Sequence, residues 1–378
     1  MELAYFVYIG LLVLLLFFSI TEVQLTSSMR KYSKKTLFHN PYTFIPILLF
    51  SILIGLRYDV GFDYMAYKKD YDSLINPVRV VDLHFEIGYE YIFRSLAYIG
   101  ASYIWPFLVT AFLQIYCIYY QSRKNIFLLP FIIFFYITTS NFMYSLNIMR
   151  QILAFNILFV GTTSIIDKKI YKWLGFCFVA SLFHITALIA LPFYFLNKNF
   201  IKNKYLPFIV LPLIYFVFEY LFVTYFEVFF NKYIPFIMSG VDSEVLARQD
   251  REIVRTSGSG IFAFALFVVY CLFIFNYKQC FKFYNKYGFV LFFNLSVIGI
   301  IMQPLVVSNI LLDRIVYYFY GFRFVTFAFY FHYFFLLKKN IFISIIMIIF
   351  MILLFVQFLV TIGSGSNGIS PFQFVTDL

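Results

Sequence analysis

The sequence predicts an all-α, polytopic integral membrane protein, and three observations carry that expectation. Of the 378 residues, 63% are hydrophobic and only 12% are charged, about half the charged share of a soluble domain. Apolar runs of bilayer-crossing length alternate with short polar segments. The net charge of +11 gathers in Lys/Arg clusters between those runs, as expected of cytoplasmic loops rather than of a nucleic-acid surface. A single transmembrane domain over residues 1–378 is therefore expected, without a soluble domain, internal repeat, Walker motif, GxGxxG or HExxH.

Taken in order, Glu2 to Ile20 reads as a retained first span, because it has no basic leader and no small-residue cleavage site. Arg30, Lys31, Lys34 and Lys35 mark the next loop as cytoplasmic. Tyr42 to Leu56 then returns outward, so residues 57–101 form a first external loop. Within it, Glu86, Glu90 and Arg94 recur every four residues over Phe85 to Gly100, the pattern of an interfacial amphipathic helix. Ser102 to Tyr120 and Ile126 to Thr139 cross in and out, and the external turn SNFMYSLN leads into a span headed by Arg150 and Gln151.

Lysines flank Trp173 to Leu196 on both sides, which a re-entrant hairpin over 173–196 with its apex near Phe183 and His184 reconciles. A second external loop, 224–258, carries Arg248, Arg251 and Arg255 at helical spacing, a solvated face or a cap that grips phosphate or polysaccharide. Tyr205 to Val223 provides one crossing before that loop and four more spans follow it, one headed by Asp313 and Arg314, and a Gly/Ser tail lies outside. The expected tally is about ten crossings plus the hairpin, with an external loop helix.

The densest polar stretch is Gly55 to Tyr67, GLRYDVGFDYMAY, at the outer end of an apolar run. Polar groups at that depth are costly and commonly functional. Asp59 and Asp63 sit four apart, so a helical turn would aim both carboxylates at one place. Cys117, Cys177, Cys271 and Cys280 lack CxxC spacing and the four histidines are dispersed, so neither a disulfide framework nor a metal site is expected. On this topology Arg57, Asp59, Asp63, Glu86, Glu90, Arg150, His184 and Arg314 approach the outer half of the membrane. Carboxylates among several cations suit glycosyl transfer from a pyrophosphate donor. The same groups would also serve a lipid-modifying acyltransferase or a transporter of an anionic glycan.

Five blocks in order, GLRYDVGFDYMAY, GYEYIF, NIMRQILA, SLFHITALIALPFY and DRIVYYF, resemble the EpsG family of Wzy-type polysaccharide polymerases. The resemblance implies an inner-membrane enzyme with a fold similar to lipid-sugar glycosyltransferases of the GT-C kind, needing no cofactor. It further implies transfer of a growing glycan from undecaprenyl pyrophosphate to the non-reducing end of a lipid-linked repeat unit on the periplasmic face. Membrane lipids, a flippase and a chain-length regulator would be its partners. Arg57, Gly61, Asp63, Tyr64, Tyr67, Arg150, Gln151, His184 and Arg314 carry over by position. Asp63 would be the acceptor base, as related enzymes tend to place a carboxylate in the first external loop. Arg150, Arg314 and His184 would hold the pyrophosphate, with Arg57 orienting Asp63 or joining them. Asp59, Glu90, Arg248 and Arg251 would complete the substrate contacts. An O-antigen ligase-type transferase and a flippase for the lipid-linked unit remain open alternatives.

Overall fold

The computed structural model describes residues 1–28, 40–75, 83, 85–200, 260–303, 310–338 and 340–375. Arg248, Arg251 and the loop at 224–258 lie outside the described residues. Two compact units emerge: one holds Met1–Tyr194, Lys286–Gly288 and Phe327–Leu378, the other Phe195–Asn285 and Phe289–Thr326.

In the first unit, α1 (Glu2–Ser28) runs a full two turns past the expected span. Helix α2 (Pro41–Gly55) starts sharply because the Asn40 side chain accepts the Tyr42 N–H at 3.1 Å and Pro41 occupies the first turn. It stops at a loop, and two helices follow that stay outside the long apolar runs: α3 (Tyr64–Ile75) and α4 (Ile87–Tyr98). α3 buries Tyr64, Tyr67 and Tyr71 on one stripe; α4 answers with Tyr89 and Phe93, and the four rings Tyr67, Phe85, Tyr89 and Phe93 pack within 6.5 Å of one another. Such aromatic burial, rather than the mixed-charge sequence KKDYDS, is what makes α3 a helix.

α5 (Ile104–Ser122) leads through a 3₁₀ turn at Arg123–Leu128, broken at Asn125, into α6 (Leu129–Thr138). The expected external turn at SNFMYSLN is instead a helix, α7 (Ser140–Asn147), because its buried Phe142, Met143 and Leu146 share a face. α8 (Met149–Ile166) is almost wholly buried, and two hydrogen bonds tie it to α5: Asn156 Nδ2 donates to Gln114 O at 3.1 Å and Gln121 Nε2 to Thr162 Oγ1 at 3.1 Å. After α9 (Ile170–Ser181) the chain reverses at Leu182–His184 into a 3₁₀ segment, Ile185–Leu196. The Trp173 indole N–H reaches the Leu191 carbonyl at 3.2 Å, so the two arms lie side by side as a helical hairpin.

The second unit carries α10 (Gly260–Tyr284), α11 (Phe289–Met302), α12 (Ile310–Tyr320) and the start of α13 (Arg323–His332). A single span through 313–337 is not observed: the chain breaks at Gly321–Phe322 between α12 and α13. Gly299 lets α11 approach that break, since a Cβ there would sit 2.3 Å from the Tyr320 nitrogen. A π-helical turn, Tyr333–Lys338, and α14 (Ile341–Gly363) follow, the latter capped by Asn340 Oδ1 on the Ile343 N–H at 3.1 Å, and a 3₁₀ turn at Ser366–Gly368 comes after it.

Among the described residues, Glu2–Thr26, Met149–Ile166 and Ile341–Gly363 are long and apolar enough to cross a membrane, and two bent helix pairs raise that number to five. Among the described residues the architecture is all-helical, with several apolar helices as in a multi-pass membrane protein. Near one end of the first unit, Tyr5 and Tyr8 of α1 bond to Leu359 O and Ile369 O, and residues 368–375 pair with 56–61.

Candidate functional site

The stretch Leu56 to Asp63 is built as a tight docked loop. Asp59 has φ 51° and Gly61 φ 97°, so Asp59 and Asp63 do not share a helical turn and their carboxylates are not paired by one. The reversal is set by close approach: a Cβ on Gly61 would lie 2.5 Å from Leu146 O. Asn147 at the α7–α8 junction fixes the next residue, its Oδ1 accepting the Phe62 N–H at 2.7 Å while its Nδ2 donates to Met143 O. Asp59 is exposed; Asp63 is half-buried at the mouth of α3, and its carbonyl accepts the Tyr67 N–H at 3.1 Å.

Arg57 lies beneath this loop, 1% exposed. Its guanidinium donates to the carbonyls of Val60 (3.1 Å), Ile54 (2.6 Å) and Leu146 (3.3 Å), with Tyr64 and Phe107 flanking it. Those bonds tie the end of α2, the loop and the α7–α8 junction together. Arg57 is therefore a buried cation whose donors are engaged by the main chain of three segments and by Met149 Sδ at 3.0 Å.

The ionisable groups that do meet are Glu86, Arg150 and His184. Glu86 is the N-cap residue of α4 with extended backbone, φ −66° and ψ 146°. One of its oxygens takes the Arg150 Nη1 at 2.5 Å; the other takes the His184 Nδ1 at 2.8 Å and the Ile185 N–H at 3.1 Å. Arg150, on the first turn of α8, also reaches Tyr67 OH at 3.4 Å and stands 4.8 Å over the Phe85 ring. Each of the three side chains retains partial exposure, 18–23%. Burial works against the Glu86 charge but is outweighed by the His184 hydrogen bond and the Arg150 charge, which hold its carboxyl down from 4.5 to about 2.

An ionised carboxylate only accepts hydrogen bonds, so His184 carries its proton on Nδ1. Its Nε2 then presents either a lone pair or, when the ring is protonated, a second N–H. The hairpin apex that carries His184 is clamped again two residues beyond Glu86, in the first turn of α4, where the Gly88 N–H donates to Leu182 O at 2.7 Å. A Cβ on Gly88 would come within 2.8 Å of that oxygen. The arrangement offers a fixed cation, an oriented imidazole and a carboxylate that couples them, which suits binding an anionic leaving group or moving one proton.

Of the residues singled out in the sequence, the first unit brings together Tyr67, Arg150 and His184, with Tyr64 and Gln151 buried nearby along the same helices. Glu90 pairs instead with Arg94 at 2.6 Å on the exposed face of α4. Arg314 lies half-buried on α12 of the second unit. The residue the sequence left in the background is Glu86. Its extended backbone just before Ile87 takes it off the face it was read to share with Glu90 and Arg94. Among the described residues, no group of three His, Cys, Asp or Glu is placed to hold a metal ion.

The EpsG family model matches residues 41–374, nearly the whole chain. Neither a curated protein nor a solved structure matches. The matched span contains every residue of the Glu86–Arg150–His184 cluster and of the loop above Arg57. The chain belongs to the EpsG family, a family of Wzy-type polysaccharide polymerases.

Proposed function

We propose that this protein is a glycosyltransferase that polymerises lipid-linked oligosaccharide repeat units, moving a growing glycan from a polyprenyl pyrophosphate to a hydroxyl at the non-reducing end of the next unit. The observation that carries the reading is the Glu86–Arg150–His184 cluster, in which Arg150 and His184 come from two of the five sequence blocks and Glu86 stands two residues before a third. The acceptor oxygen attacks the anomeric carbon as a base removes its proton. The C–O bond to the pyrophosphate breaks, and that group leaves with the bonding electrons on its lipid. Arg150 and His184 stabilise the departing charge. Asp63, half-buried at the start of α3, is the base for the acceptor. Glu86 holds Arg150 and His184 in register. No nucleotide takes part, which fits a site on the periplasmic face of the inner membrane, working beside a flippase and a chain-length regulator.

Purified protein in nanodiscs, given a polyprenyl-pyrophosphate-linked repeat unit, should yield a ladder of lipid-linked oligomers. Asp63→Asn should slow it by about 10²-fold or more, whereas Asp72→Asn, whose carboxylate is taken by Lys68 at 2.6 Å, should change it little. Equal rates in the two variants would remove Asp63 from the base role. Absence of any oligomer from the wild type would refute the polymerase reading.

A further inference from the structure

We infer that residues 364–375 are a positioning element of the catalytic site, holding the loop that delivers Asp63. This rests on the polymerase reading for its catalytic meaning, but the packing stands by itself. Three main-chain hydrogen bonds join segments more than 300 positions apart: Gly61 N–H to Gly368 O at 2.8 Å, Tyr58 N–H to Gln373 O at 2.9 Å, and Val375 N–H to Leu56 O at 2.9 Å. The last two frame an isolated antiparallel bridge between Arg57 and Phe374.

The segment is anchored from beneath as firmly as it grips above. Ile369 is fully buried and its carbonyl accepts Tyr8 OH at 2.9 Å; Phe372 is 3% exposed and edge-on to the Tyr8 ring at 5.4 Å. Gly368 has φ 64°, and a Cβ there would lie 3.1 Å from the Phe62 nitrogen. The loop is thus clasped on two sides, by Leu146 and Asn147 from α7 and by Gly368 and Gln373 from this segment. Its backbone amides at 58, 61 and 62 are all engaged. A short loop with two positive-φ residues has no regular ladder of its own, so its shape is set by these outside partners. The composition GSGSNG suggests a loose tail; the pairing makes it part of the site's frame.

The test combines two readouts. Hydrogen exchange on the wild-type protein in nanodiscs should show residues 58–62 protected as strongly as the surrounding helices; exchange at the rate of an open loop would overturn the inference without reference to activity. Gly368→Val should then deprotect 58–62 and lower the oligomerisation rate per folded molecule by about tenfold to a hundredfold. Phe350→Ala, a core truncation outside this segment, should lower the melting temperature while leaving the rate per folded molecule within about twofold of the wild type. A Gly368→Val protein that polymerises at the wild-type rate would also overturn the inference. Protection of 58–62 in a wild type that makes no polymer would instead leave the clasp intact and count against the proposed activity.

Discussion

Glu86→Ala is expected to abolish polymerisation while leaving the helical core assembled. Three contacts vanish together: the Arg150 ion pair, the His184 hydrogen bond and the acceptor for the Ile185 N–H. Breaking a buried ion pair by removing one partner costs about 3–5 kcal/mol in a dry interior, and less here because the groups keep some exposure. Loss of one preorganised donor to a transition-state charge costs about 10²–10³ in rate, and Glu86→Ala disorders two of them. Glu86→Gln separates charge from shape, since an amide keeps an acceptor for His184 but not the charge that fixes Arg150. It should recover the docked hairpin and little of the rate.

The same pair of contacts gives a pH signature. A carboxyl held at about 2 rather than 4.5 contributes its full stabilisation above about 4.5, and that contribution is lost as the pH falls through the lower value. Protection of the Ile185 amide should therefore persist at pH 5 and collapse only toward pH 2. In Glu86→Gln it should show no such acid limb.

The second large effect is Gly61→Ala. Its φ of 97° is open to glycine and strained for alanine, and the added methyl would strike Leu146 O at 2.5 Å. Strain of this kind costs about 1–3 kcal/mol before the clash is counted. Relief requires the loop to leave α7, which breaks the Phe62 bond to Asn147 and displaces Asp63. The variant should insert into the membrane, polymerise at about 10²-fold below wild type, and lose exchange protection across 58–62. Wild-type protection and rate in Gly61→Ala would show that the loop tolerates a different path.

Much of this was legible in the sequence, and the parts that were not share a cause. Hydropathy and lysine placement give the membrane class, the apolar runs and a chain reversal near His184. Arg150 and His184 stand out because polar groups in apolar helices are costly. Glu90 drew attention because 86, 90 and 94 are spaced as one helical face, yet the helix begins at Ile87. Glu86 sits in extended backbone at the cap, so its side chain leaves in another direction and meets Arg150 rather than joining the Glu90–Arg94 pair. Asp59 and Asp63 were likewise spaced for a helical turn that Gly61 and the left-handed Asp59 replace with a loop. Helix α3 hid behind its lysines and aspartates, although the Tyr64, Tyr67, Tyr71 stripe was there to be read. The pairing of 368–375 with 56–61 left no local trace, because main-chain bonds across 300 residues depend on the fold and not on side-chain pattern.

The most direct test of the central claim is the length distribution of surface polysaccharide in a strain lacking this gene, complemented with wild type or with Arg150→Ala. A long ladder is expected with the wild type, and a collapse to a single repeat unit with Arg150→Ala at equal membrane abundance. A full ladder from Arg150→Ala would contradict the site. Loss of all surface glycan in the uncomplemented strain, with not even one unit attached, would contradict the polymerase and favour a ligase or a flippase.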